Sequence, residues 1–341
     1  MIKIIEISRH DIKHFEKEAV MKVLDSGNLS SAKKVIEFER RFADYIGTKY
    51  AIAVNSGTSA LHCAYLAINK EPYTNSITTP LTFSATINML RATELSPKFV
   101  DVNDDFNINV DKIRSRINSY DEMIVPVHLF GLGCKMDEIA EIAERNGSVI
   151  VEDTSQACGA TFKGHKLGSW GDIGTFSFYP SKIITTGEGG MVVTDDPEIA
   201  EKIRDLRQHS LNSGGIGYNY RMTDISAAIG IEQLKRIDRF IEKRRKIAKI
   251  YNEEFEGLIK KLPTEEGHIY NSYSFCIPNR DKFIVDMNRL AIDCRVYYPK
   301  PFADLPNVSR ICKEVVSIPI RPNLENREIE YIVNSVKKCL K

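Results

Sequence analysis

The spacing of apolar positions changes twice along the chain. The opening has a helical period: Ile12, Phe15, Ala19, Val23 and Leu24 recur on one face, and Gly27 can end the run. Val35, Phe38, Phe42 and Tyr45 share the face of a second helix over 34–46, followed by Gly47. Short β-rich runs then take over, at 51–55, 76–80, 98–102, 123–128, 148–153, 173–178 and 190–194. Helical patterns at 58–69, 84–93, 110–117 and 136–146 separate most of them. Strands alternating with helices predict an α/β fold with a mostly parallel sheet covered on both faces. The last two strands are joined by a loop without a helix, which allows one of them to run antiparallel. A helical period returns over 224–256, and residues 257–341 read as a small α+β unit. Its expected parts are strands near 273–277 and 293–298 and a closing helix near 325–339. The predicted division is a large domain over 1–240, with the N-terminal helical segment, and a small C-terminal domain over 241–341.

Composition narrows the function classes. The 341 residues suit two domains, and 47 basic against 46 acidic residues leave a net charge of +1. That balance removes the electrostatic case for a nucleic-acid or membrane-surface partner. The basic run KRIDRFIEKRRKIAKIYNEEF interleaves acids with bases and reads as a solvated helix face. No apolar stretch reaches the roughly 18 residues of a membrane span. The opening residues turn charged too early for a signal peptide, so a cytoplasmic location is expected. Seven scattered cysteines, an odd number with no CxxC pair, fit reduced thiols rather than disulfides or zinc. No histidine spacing suggests a metal site, and none is expected.

Three segments could carry chemistry. In Asn55-Ser56-Gly57-Thr58-Ser59-Ala60-Leu61 a strand ends, a glycine turns the chain and a helix opens. Such a helix start suits a phosphate, and it is equally a plain capping turn. In VIVEDTSQA, Asp153 ends a predicted parallel strand, where open α/β sheets face their ligands. A carboxylate there can hold a ring nitrogen protonated, or merely cap the next turn. In FSFYPSKIITTGEGG, Lys182 stands just past a buried strand beside a glycine-rich turn. A partly desolvated lysine becomes a nucleophile toward carbonyls, although most lysines are solvated surface groups. Together, a phosphate turn, an acid and a lysine in that order fit pyridoxal 5'-phosphate, which needs all three.

The chain resembles the sugar-nucleotide aminotransferases of the DegT/StrS type over nearly its whole length. The resemblance rests on FERRFADYIGTKYAIAVNSGTSAL, TPLTFSATIN, PVHLFG, VEDTSQACGA, GDIGTFSFYPSKIITTGEGGMVVTDD and GYNYRMTDISAAIGIEQL. It implies fold type I, as in aspartate aminotransferase, with a seven-stranded sheet in the large domain. It also implies roles for single residues. Lys182 would be the Schiff-base lysine, Asp153 the partner of the pyridine nitrogen, and Gln156 the neighbour of the ring oxygen. Gly57, Thr58 and Ser177 would hold the phosphate, and Phe83 would stack on the ring. Asn219 would reach the cofactor of a second copy, which implies a homodimer with shared sites. The implied reaction moves an amino group from L-glutamate or L-glutamine to a nucleotide-linked keto-sugar, through pyridoxamine phosphate. Arg221, Lys300 and Arg321 are candidate pyrophosphate partners by charge alone, or surface ion-pair residues. Tyr298 is a further candidate at the substrate. The chain departs from the family pattern in INKEPYTNSITTP, in ATELSPKFVDV and at Ile183-Ile184, which bears on the sugar rather than the cofactor. Rival readings are a transaminase of a free cyclic keto-polyol, and a regulatory protein that kept the fold and lost the chemistry. A dehydratase of the same family would carry histidine where Lys182 stands. A cysteine desulfurase would need a nucleophile on a mobile loop, whereas Cys158 follows the Asp153 segment in what reads as a packed turn.

Overall fold

The computed structural model describes residues 4–68, 74–260, 264 and 267–340. Residues 69–73, part of the stretch INKEPYTNSITTP that departs from the family pattern, lie outside the described residues. The strands are β1 (Tyr50–Val54), β2 (Asn75–Thr78), β3 (Ser96–Phe99), β4 (Asp121–Val125), β5 (Val149–Asp153), β6 (Thr161–Phe162), β7 (His165–Lys166), β8 (Ile173–Ser177), β9 (Gly190–Thr194), β10 (Tyr273–Cys276) and β11 (Val315–Ile318). The α-helices are α1 (His14–Ser26), α2 (Lys33–Ile46), α3 (Gly57–Ile68), α4 (Ser84–Ala92), α5 (Val110–Arg116), α6 (Met136–Asn146), α7 (Pro197–Leu206), α8 (Asp224–Leu234), α9 (Ile237–Glu254), α10 (Arg280–Arg289), α11 (Pro306–Glu314) and α12 (Asn326–Cys339).

Seven strands form the main sheet in the order β1-β9-β8-β5-β4-β2-β3. Only β9 runs antiparallel, pairing with β1 and β8. The β8–β9 connection holds no helix to carry the chain across the sheet, and the two strands pair as antiparallel neighbours. Side chains alternate across the sheet, so each strand feeds two cores. Ile124, Ile150 and Phe176 face α2, α6 and α9, where Phe38, Phe42, Ile139 and Ile241 are buried. Met123, Val125, Val151 and Ile173 face α3, α4 and α7, where Leu61, Ile87 and Ile203 are buried. A further core joins β10, β11, α10 and α12 with the N-terminal Ile5. Helix α9 takes part in two cores. Ile237, Phe240 and Ile241 pack with the sheet, while Ile247, Ala248, Tyr251 and Phe255 pack with the smaller unit. The expected division at 240/241 falls inside this one helix.

Local chemistry sets the boundaries. Gly27 and Gly47 end α1 and α2 in the left-handed region, at φ 70° and 89°, where a Cβ would be strained. The buried Asp224 carboxylate accepts from the amides of Ala32, Lys34 and Val35, so an anion closes the start of α2. Helix α7 was not expected, although Asp196-Pro197 is a helix start: the Asp196 carboxylate accepts from Glu198 and Ile199.

One expectation is corrected. Residues 293–298 do not form a strand; only Arg295 pairs, with Ser317. Pro299 and Pro301 lack the amides a ladder needs, and Tyr298 is turned inward. The second strand of that sheet is β11 instead. The helix expected at the opening is α1, and its apolar face is only partly covered, with Val23 buried. Phe15 and Leu24 stay about half exposed, whereas Glu16 is buried on Gln233 and Arg236.

Phe42 meets the rings of Phe176 and Phe178 edge-on at 5.0 and 5.4 Å. Truncating it opens a cavity between helix and sheet. Phe42→Ala is expected to destabilise by about 3–5 kcal/mol. Denaturant melts followed by the fluorescence of Trp170, the one tryptophan, check this; an unchanged midpoint would contradict the packing.

Candidate active site

A cavity of about 400 Å³ opens at the carboxyl ends of the parallel strands. In α/β sheets this is where strand ends, loops and helix starts converge. Its walls bring together Gly57, Thr58, Phe83, Asp153, Gln156, Ser177, Lys182 and Tyr298. These residues are spread over more than half of the sequence, and the sheet order is what unites them. Asp153 is the last residue of β5 and Ser177 the last of β8, the neighbouring parallel strand. Gly57 begins α3 directly after β1.

The turn at Gly57 requires glycine because of a close approach. A Cβ at that position would lie 2.7 Å from the Cβ of Ser177. Without it, the first turn of α3 comes against the Ser177 side chain. The first amides of a helix have no carbonyl partner within it, so this corner offers N–H and hydroxyl donors to an anion.

Asp153 is nearly fully buried, and both of its oxygens are held. Oδ1 accepts the Ser155 amide at 3.1 Å, and Oδ2 accepts the Thr86 hydroxyl at 2.7 Å. One residue earlier, Glu152 points to the opposite side of the sheet and is completely buried. It accepts the amides of Gly168, Trp170 and Gly171, each at 2.8 Å. It also meets His128 Nε2 at 3.0 Å. Since His128 Nδ1 accepts the Cys134 amide, Nε2 carries the proton and donates to Glu152. This buried node pins the end of β5, and hence the base of Asp153, to two loops.

Lys182 is half-buried in the cavity wall. Enclosure by protein pulls its amine down to about 8, against an upward pull from the Asp153 charge. A large share of the amine is therefore neutral near pH 8, as a nucleophile requires. Gln156 is locked from both ends: its Oε1 accepts the Phe130 amide at 3.1 Å, and its Nε2 donates to the Tyr298 hydroxyl at 2.5 Å. One amide hydrogen is left for the cavity. Phe83 lines the cavity and is 63% exposed, so its ring face is open rather than core.

Four candidates are not in the cavity. Arg321 is buried elsewhere, donating to the Glu6 carbonyl, Asn323 and Glu328. The candidate pyrophosphate role is corrected on that ground: the guanidinium nitrogens are spent on Glu6, Asn323 and Glu328. Lys300 is exposed outside the cavity. Asn219 and Arg221 lie on a segment held beside β1 by the Asn55 amide on the Tyr220 carbonyl, at 2.8 Å. The Asn219 side chain is exposed and Arg221 is half-buried. Sequence reasoning missed Thr86, Glu188, Asn271 and Tyr297, which also line the cavity. For Tyr297 the adjacent Tyr298 was a signal; for Asn271 nothing in the local pattern was. Cys158 is buried and its thiol is pushed up to about 12 by burial, so it is inert.

A lysine amine, a braced carboxylate and a glycine-serine anion corner in one cavity define a pyridoxal-phosphate-dependent transferase of fold type I. The residues fit that cofactor by their chemistry and by the side-chain-free space at Gly57. The description of the DegT/DnrJ/EryC1/StrS aminotransferase family matches residues 10–337, and the chain belongs to this family. GDP-perosamine synthase of Caulobacter vibrioides is 35% identical, over 95% of each chain. Among solved structures, Helicobacter pylori PseC, an aminotransferase involved in pseudoaminic acid biosynthesis, superposes with a TM-score of 0.92. Its identity is 27% and the match covers 99% of both chains. GDP-4-keto-6-deoxymannose-3-dehydratase, solved with a trapped PLP-glutamate geminal diamine, gives a TM-score of 0.91 at 27% identity. That match covers 97% of this chain and 99% of the other.

In the cofactor-free protein, amine-selective acylation of Lys182 is expected to be half-maximal near pH 8. Asp153→Asn removes the charge that supports the ammonium form, so the midpoint should fall further. Mass-spectrometric labelling profiles against pH check both; a midpoint in the range of surface lysines would contradict the enclosure.

Proposed function

We propose that this chain transfers an amino group from L-glutamate, or L-glutamine, to the keto group of a nucleotide-linked sugar. The observation that carries the reading is the convergence of Lys182, Asp153 and the Gly57–Ser177 corner on one cavity. The names of the relatives, a GDP-perosamine synthase and a pseudoaminic acid aminotransferase, support the acceptor class.

In this reading the chain's own groups divide the work. Gly57, Thr58 and Ser177 bind the cofactor phosphate. Phe83 covers one face of the ring. Asp153 holds a proton on the ring nitrogen, and the Gln156 amide hydrogen meets the ring oxygen. When bound, the cofactor supplies an electron sink for the carbanion formed at the carbon losing its proton. Lys182 Nζ removes that proton and returns it to the carbon that needs it, a task suited to an amine near neutrality. Lysine rather than histidine at position 182 separates the chain from the dehydratase branch, which shares its fold.

A homodimer completes the reading. Lys182 is the one cationic side chain in the cavity wall among the described residues, yet both the cofactor and the acceptor carry phosphate. Asn219 and Arg221 are presented at the surface and would serve the second copy's site. Exposed Ile12, Phe15, Met21 and Leu24 around α1 supply an apolar face for such a contact. Two-domain organisation, near 1–240 and 241–341, would place Asn271, Tyr297 and Tyr298 of the smaller unit over the acceptor. The free cysteines fit a cytoplasmic setting, and among the described residues no helix is long and apolar enough to cross a membrane.

Lys182→Ala is expected to lower turnover by at least about a thousandfold. Wild-type protein loaded with pyridoxal phosphate should lose its visible absorbance on adding L-glutamate and regain it on adding a nucleotide-linked keto-sugar. Unchanged turnover in the variant would overturn the assignment. Recovery with a free cyclic keto-polyol, and not with the nucleotide-linked sugar, would overturn the acceptor.

A further inference from the structure

Asp153 does not stand alone in the cavity wall. Its Oδ2 is 2.7 Å from Thr86 Oγ1, and Thr86 Oγ1 is 2.8 Å from Thr82 Oγ1. All three side chains are buried. Thr82 precedes the extended N-cap Phe83 and Thr86 lies in the first turn of α4, so the chain's entry into the helix brings the two hydroxyls together.

The direction of these hydrogen bonds follows from proton counting. An ionised carboxylate only accepts, so Thr86 must give its single hydroxyl proton to Asp153. Thr86 then has no proton left for Thr82, and Thr82 must donate to Thr86. The result is a one-way chain, Thr82 O–H to Thr86 O–H to Asp153 Oδ2. A hydrogen bond into a charge is about twice as strong as a neutral one, and a donor behind it polarises it further. The Ser155 amide holds Oδ1 from the other side. Asp153 therefore cannot rotate about its carboxyl bond without breaking a buried contact. Lone pairs remain on both oxygens for one more donor.

We infer that Thr86, backed by Thr82, is a positioning residue that fixes the Asp153 carboxylate in one orientation, toward the ring nitrogen of the cofactor. It acts through Asp153, whereas an unbraced carboxylate would have to be ordered when the cofactor binds. This rests on the cofactor reading above.

The test is an equilibrium titration of the cofactor-free full chain with pyridoxal 5'-phosphate. Four proteins are compared: wild type, Thr86→Val, Thr86→Ser and Thr82→Val. Valine keeps the shape and β-branch of threonine and removes the hydroxyl; serine keeps the hydroxyl. Thr86→Val is expected to raise the dissociation constant about tenfold or more. Thr82→Val should raise it by about threefold, since it weakens the donor without removing it. Thr86→Ser should stay within about threefold of wild type. Thermal midpoints of the cofactor-free proteins identify any variant that has lost its fold. Wild-type affinity in Thr86→Val would overturn the inference while leaving the cofactor reading intact. So would equal weakening in Thr86→Ser and Thr86→Val, because packing rather than the hydroxyl would then be at work. A wild-type protein that binds no cofactor would overturn the reading itself and the inference with it.

Discussion

The site depends on holding one carboxylate in place where its burial is costly. Asp153 is buried at the end of a central strand, where a carboxylate with unmet oxygens would be costly. The structure offsets this with the Ser155 amide, the Thr86 hydroxyl and the nearby Lys182 amine. Each of these constrains something else. The Thr86 contact fixes the rotation of α4 against the sheet. The Ser155 amide fixes the turn leaving β5. The charge felt at Lys182 limits how far burial can lower its amine.

Beneath that carboxylate, the fold supplies rigidity from the other face. Because strand side chains alternate, Asp153 and Glu152 serve opposite layers. Glu152 gathers three loop amides and His128, so the end of β5 is fixed in position before any ligand arrives. The glycine at 57 serves the same end by letting α3 and β8 approach at the anion corner. A preorganised site of this kind spends little binding energy on ordering itself.

Much of this was legible in the sequence. Alternating periods predicted the sheet and the layers, because burial dictates both. Gly57, Asp153 and Lys182 were visible because each sits at a helix start, at a strand end or just past one, where local pattern marks a position; Ser177 was named through the family resemblance. What was not legible depended on tertiary partners. Thr86 looks like an ordinary helix residue until Asp153 is brought beside it. Arg321 looked available by charge, but its guanidinium is consumed by Glu328, Asn323 and the Glu6 carbonyl. The strand expected at 293–298 shrinks to the one pairing of Arg295 with Ser317, and Pro299 and Pro301 just beyond it have no amides to extend a ladder. The exposed face of α1 shows the same limit in reverse: period reports that a face is apolar, not whether its cover belongs to the same chain.

The central claim is that one lysine among many is the cofactor-bearing group, selected by its enclosure beside Asp153. Borohydride reduction of the full chain loaded with pyridoxal 5'-phosphate, followed by peptide mass mapping, tests this most directly. The account predicts a single phosphopyridoxyl group, carried by the peptide containing Lys182. Label spread over surface lysines, with Lys182 unmodified, would contradict it.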